Sequence, residues 1–300
     1  MSDNHKVEVL VEGDYSFFEG PRWRMGRLWM SDFYTYRVLS TDLEDNVDTV
    51  AEVAAQPSGL GWLPDGRMLI VSMRDRRILR LEPGGDLVEH ADLSDIAPCH
   101  LNDMIVDSHG RAYVGNFGSD ILHGAPITTA AVYLVQPDGT VSVAADDLHF
   151  PNGLAITGEN TLVIAETVGN RLSAFDIGDD GSLSNRRVFA EFGAVPTTDD
   201  LMEAIPQIVY APDGIVADAE GGVWFADVFG QRAARVMDGQ IVDEVSTASL
   251  GLGTYSLTLG GPDGRTLFLC SAPSFAEEDA KANHAAKILT TSVEVPLAGM

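Results

Sequence analysis

Six times along the chain a polar residue, usually followed by glycine, opens a short apolar run. The openings are Glu19-Gly20-Pro21, Ser58-Gly59-Leu60, Asn102-Asp103-Met104, Asn152-Gly153-Leu154, Asp213-Gly214-Ile215 and Ser256-Leu257. Taking Pro21, Leu60, Met104, Leu154, Ile215 and Leu257 as markers, the intervals are 39, 44, 50, 61 and 42 residues, the spacing of four-stranded propeller blades. A second apolar run follows each opening, as in Leu28-Trp29-Met30 and Val223-Trp224-Phe225, and turns such as Pro64-Asp65-Gly66 bound the runs. Third and fourth runs, such as residues 77–81 and 140–143, bring each unit to four antiparallel strands. The predicted fold is an all-β, six-bladed β-propeller, with residues 1–300 forming a single domain. The sixth unit has a third strand within residues 287–295 but no fourth, whereas residues 6–11 form an extra strand before the first unit. The N-terminal strand is therefore expected to close the last blade, which removes exposed sheet edges.

A hydrophobic content of 45% over 300 residues supports one large core, and no linker or low-complexity tract interrupts it. The 45 acidic residues outnumber the 19 basic ones, giving a formal charge of −26. Such a surface repels phosphate backbones and anionic lipids, which argues against nucleic-acid and membrane partners. No apolar stretch approaches the roughly 18 residues of a membrane span, and the polar residues 1–6 do not read as a signal sequence. A soluble cytoplasmic protein is the expectation. Cys99 and Cys270 lack metal-ligand spacing and read as packed thiols.

Equivalent positions of a circular repeat meet near its axis. Four of the six openings carry an oxygen-rich side chain: Glu19, Asn102, Asn152 and Asp213. Ring closure would gather them into a cage for a hard cation. Carboxylate and carboxamide oxygens without paired His or Cys favour calcium over magnesium or manganese, and tetrahedral zinc least of all. A second polar set, Asp32, Ser72, Asn116, Glu166, Asp227 and Ser271, follows the second strands. It is expected to form another ring of donors at the same mouth.

The segments Glu19-Gly20-Pro21-Arg22-Trp23, Asn102-Asp103, Phe150-Pro151-Asn152-Gly153-Leu154 and Pro212-Asp213-Gly214-Ile215 occur in order at blade spacing. With Gly221-Gly222-Val223-Trp224 they resemble the family of senescence marker protein (regucalcin), gluconolactonase and luciferin-regenerating enzyme, through nearly the whole chain. The resemblance implies a single divalent ion held by Glu19, Asn152 and Asp213, with Asn102 lining the site. It also implies lactone hydrolysis, with Asp213 serving as ligand and as acid or base. Some members cleave phosphorus–fluorine or phosphoester bonds instead.

Sugar-lactone members commonly carry an arginine two residues before the channel asparagine, where this chain has His100. Together with Asn116-Phe117, Ile121 and Leu122, that departure points to a less polar lactone or ester. His100 and His149 are alternative bases, because a neutral imidazole titrates near working pH. The substrate-binding candidates are thus Asn102, His100, Asn116, Phe117 and His149. The long connections 119–129 and 195–210 are expected at the rim, the latter just before Asp213. An organophosphate or aryl ester hydrolase at the same metal site, and a non-catalytic propeller with a structural calcium, remain open alternatives.

Overall fold

The computed structural model describes residues 5–44, 46–158 and 160–299. The described residues form six sheets of four antiparallel strands, the six blades of a β-propeller. The inner strands are Phe18–Arg24, Pro57–Trp62, Leu101–Val106, Pro151–Thr157, Pro212–Ala217 and Gly253–Gly260. Each touches the next around the ring, and the last returns to the first. The second strands are buried almost throughout, as in Met68–Ser72, whereas fourth strands such as Leu183–Glu191 face solvent. This gradient explains why the second strands read as continuous apolar runs and the outer ones alternate.

Closure occurs as the sequence implied. Strand Glu8–Val11 pairs antiparallel with Lys287–Ser292, setting Glu8 opposite Thr290 and Val9 opposite Leu289. The seam between the last and first blades is reinforced by rings. Trp23 stacks on Phe268 with centroids 5.4 Å apart, and Phe17 meets Tyr255 at 4.7 Å. Among the described residues no helix is long and apolar enough to cross a membrane.

All six inner strands share one irregularity. The pairing register slips between Glu19 and Arg22, Pro57 and Leu60, Leu101 and Met104, Pro151 and Leu154, Pro212 and Ile215, and Thr254 and Ser256. A bulge re-aims the side chain that it carries, so each blade turns its opening residue toward the channel. The glycine that follows is demanded by crowding at the axis. A Cβ on Gly153 would lie 2.4 Å from the Asp213 carbonyl oxygen, and one on Gly59 would lie 2.3 Å from the Met104 nitrogen. Blade six departs from the sequence reading, because Tyr255 takes the opening position and Ser256 the glycine slot.

Candidate metal and active site

Glu19, Asn102, Asn152 and Asp213 line one cavity of about 100 Å³ at the mouth where the inner strands begin. All four are nearly buried, at 6–8% exposure. Asn152 Nδ2 donates to the Thr167 hydroxyl at 3.2 Å, and that hydroxyl donates to the Pro212 carbonyl at 2.8 Å. Thr167 therefore fixes the Asn152 amide and ties it to the backbone that carries Asp213. The Asn152 carboxamide oxygen is left for the cavity. Asn102 Nδ2 is buried with no partner among the described residues.

Burial, reinforced by the negative charge of Asp213 and Asp103, pushes the Glu19 carboxyl well above the usual carboxylate range. Burial and Asp103 do the same to Asp213. Asp103 itself fills the glycine slot of blade three, where it accepts from the Met104 nitrogen at 2.8 Å and from Arg22 Nη2 at 2.9 Å. Buried carboxyls whose ionisation is opposed first by burial and then by neighbouring negative charge gain from a cation that balances that charge. Two carboxylates plus carboxamide oxygens, without imidazole or thiolate, match the donor chemistry of a hard dication. The residues present thus fit such an ion, although no three His, Cys, Asp or Glu side chains cluster as ligands among the described residues. The donor set depends on Asn152.

Above this acidic floor the wall is apolar and largely aromatic, including Phe17, Phe33, Tyr34, Phe117, Phe150 and Tyr255. Both long connections reach it. Ile121 and Leu122 come from the 119–129 connection, and Leu201 from the short helix Leu201–Ala204. The two are joined by a hydrogen bond from the Ile127 nitrogen to the Asp199 carbonyl at 2.7 Å. The Asp200 side chain caps the helix by accepting from the Glu203 nitrogen at 3.0 Å.

The second polar set does not form a ring of donors at this mouth. Asp32 pairs with Phe18, Asn116 with Leu101, Glu166 with Pro151 and Asp227 with Pro212, each one residue ahead of the cavity-lining position. Directly paired residues share a face of the sheet and their neighbours take the other, so this set turns away from the cavity. Asp32 accepts from the Ser16 and Phe17 nitrogens, and Asp227 from the Ala211 nitrogen. The Asn116 amide is engaged at both ends, donating to the Ala131 carbonyl and accepting from the Gly118 nitrogen. Burial of Glu166 favours its neutral form. Hydrogen bonds from His149, Arg171 and Ser173 outweigh that and hold its pKa far below normal.

Phe117 is thus brought to the cavity with the four opening residues, whereas Asn116, His100 and His149 are not among its lining. His100 stands behind the wall, edge-on to Phe117 at 5.8 Å, and burial lowers its pKa. His149 Nδ1 meets Glu166 at 3.2 Å, and the ring lines a neighbouring cavity of about 740 Å³. Sequence reasoning missed Thr167, Tyr255 and most of the aromatic wall. The available signal lay one residue beyond the second polar set, at Phe33, Phe117, Thr167 and Val228. One repeated hydrogen bond holds the residues there: Phe33 to Phe17, Phe117 to His100, Thr167 to Phe150 and Val228 to Ala211.

The described residues thus form a closed six-bladed ring with carboxylate and carboxamide side chains lining a cavity at one channel mouth. The sequence model of the SMP-30/Gluconolactonase/LRE-like region matches residues 17–273, and the chain belongs to this family. It is 25% identical over 277 residues to pentonolactonase XacC of Haloferax volcanii, covering 89% of this chain and 85% of the relative. It is 24% identical to regucalcin of Xenopus laevis, covering 92% and 90% of the two chains. The fold is shared with luciferin-regenerating enzyme at a TM-score of 0.79 and 21% identity, over 99% of this chain and 98% of that one.

Proposed function

We propose that this protein hydrolyses lactones or related carboxylic esters, using a divalent cation, calcium foremost, held by Glu19, Asn152 and Asp213. The observation that carries the reading is the convergence of these three side chains, from three different blades, on one buried cavity. The family membership and the lactonases among its relatives support the reaction class. A dication bound there supplies Lewis-acid polarisation of the ester carbonyl and stabilises charge developing on its oxygen.

The chain's own groups perform the remaining work. Asp213 accepts the proton of the attacking water. Its side chain lines the same cavity as Glu19 and Asn152, so it can serve a water attacking there. Glu19 and the Thr167-oriented Asn152 hold the ion. Asn102 and Phe117 contact the substrate, while His100, Asn116 and His149 support the wall and strand ends from behind.

The wall indicates the substrate class. Among the described residues lining the cavity there is no Lys, Arg or His. A polyhydroxylated ring would leave hydroxyls unpaired against aromatic carbon, each costing about 1–3 kcal/mol. An apolar acyl portion fits better, which keeps aryl esters as a second reading. Elemental analysis of the purified protein, coupled to assays of alkyl lactones, sugar lactones, aryl esters and phosphotriesters on wild type and Asp213→Asn, tests the proposal. Full turnover by Asp213→Asn would remove the catalytic assignment, and retained folding with no hydrolysis by wild type would favour a structural ion.

A further inference from the structure

The same six inner strands that begin around the acidic cavity end around a larger one, of about 680 Å³, at the opposite end of the channel. Every blade contributes to it, and its wall includes Trp62, Ile105, Ile156, Ile215 and Val216. Three arginines line it against a single carboxylate, that of Asp107. Arg111 is consumed locally, donating to Asp107 at 2.6 Å and to the Asp179 carbonyl at 2.7 Å. Arg22 is neutralised by Asp103, yet its buried Nε has no hydrogen-bond partner among the described residues.

Arg24 is different. Its guanidinium lies over the Trp62 ring, 5.2 Å from the centroid, and no carboxylate pairs with it among the described residues. In a chain with 45 acidic and 19 basic residues, an unbalanced cation at the lip of an apolar funnel is a specific feature. The Trp62 face pre-orients the guanidinium, whose planar fork suits a carboxylate. A small inorganic anion would leave the apolar wall wet.

We propose that this second mouth binds a small organic carboxylate with an apolar, flat body, the anion on Arg24 and the body against Trp62 and the aliphatic wall. The site is independent of the hydrolysis proposed above.

Calorimetric titration of the full chain with phenylacetate, and with phenylacetamide as its neutral counterpart, tests the assignment. Saturable binding is expected in wild type and equally in Asp213→Asn. Affinity should fall about tenfold or more for the amide and for Arg24→Gln, the worth of a charge-assisted hydrogen bond. Arg24 is exposed, so the substitution leaves the fold intact, as circular dichroism will verify. Absence of saturable binding, equal affinity for the amide, an undiminished Arg24→Gln, or binding abolished by Asp213→Asn would each overturn the proposal.

Discussion

The two mouths of the central channel are built from the same six strands and carry opposite chemistry. The starting mouth is narrow, with Glu19 and Asp213 at its floor and Asp103 close behind, whereas the finishing mouth is wide and carries Arg22, Arg24 and Arg111. The Arg22–Asp103 ion pair joins the two ends. A strand's first residues, re-aimed by the bulge, serve one site, and its last residues serve the other. One structural repeat can thus support two unrelated chemistries because the ends vary independently.

The largest test of this contrast is Asp213→Asn. Hydrolysis at the acidic mouth should fall about a hundredfold or more in kcat/KM, the scale of lost general-base catalysis, with phenylacetate binding at the other mouth unchanged. Loss of both would show that the mouths are not independent. Gly153→Ala comes next, because its Cβ would press on the Asp213 carbonyl. Overpacking of this kind costs about 1–3 kcal/mol, measurable as a lower denaturant midpoint, and activity should fall more than stability alone explains.

Thr167→Val keeps the shape but frees the Asn152 amide. Such supporting hydrogen bonds are worth about tenfold or more in metal affinity, so a calcium titration should show weaker binding, alongside a stability loss of about 1–3 kcal/mol from the unpaired Pro212 carbonyl. The smallest expected effect is pH dependence. Without a cation, burial and neighbouring carboxylates hold Glu19 and Asp213 above their unfolded values. Their contribution is therefore most favourable below the unfolded carboxyl range and declines as pH rises toward the folded values. As pH rises from the unfolded carboxyl range, about 4, metal-free wild type should lose more melting temperature than metal-free Asp213→Asn. Identical slopes would mean that Asp213 is not held neutral.

The period of the openings and the type of residue at Glu19, Asn102, Asn152 and Asp213 were legible in the sequence, because ring closure makes repeated positions equivalent. The second polar set was misplaced for a physical reason. A side chain's face depends on the parity of strand pairing, and a bulge changes that parity without altering spacing. Asp32 and Glu166 therefore looked like cavity residues and are buried anchors instead. Tyr255 was hidden because Ser256 matched the polar pattern better. The aliphatic part of the wall, Ile121, Leu122 and Leu201, comes from long connections whose positions depend on contacts between distant segments, such as Ile127 with Asp199.

The pairing of Glu8–Val11 with Lys287–Ser292 has a consequence for biogenesis. Strand Glu8–Val11 leaves the ribosome before any inner strand and its partner leaves after all six, so it must wait unpaired while five blades stack.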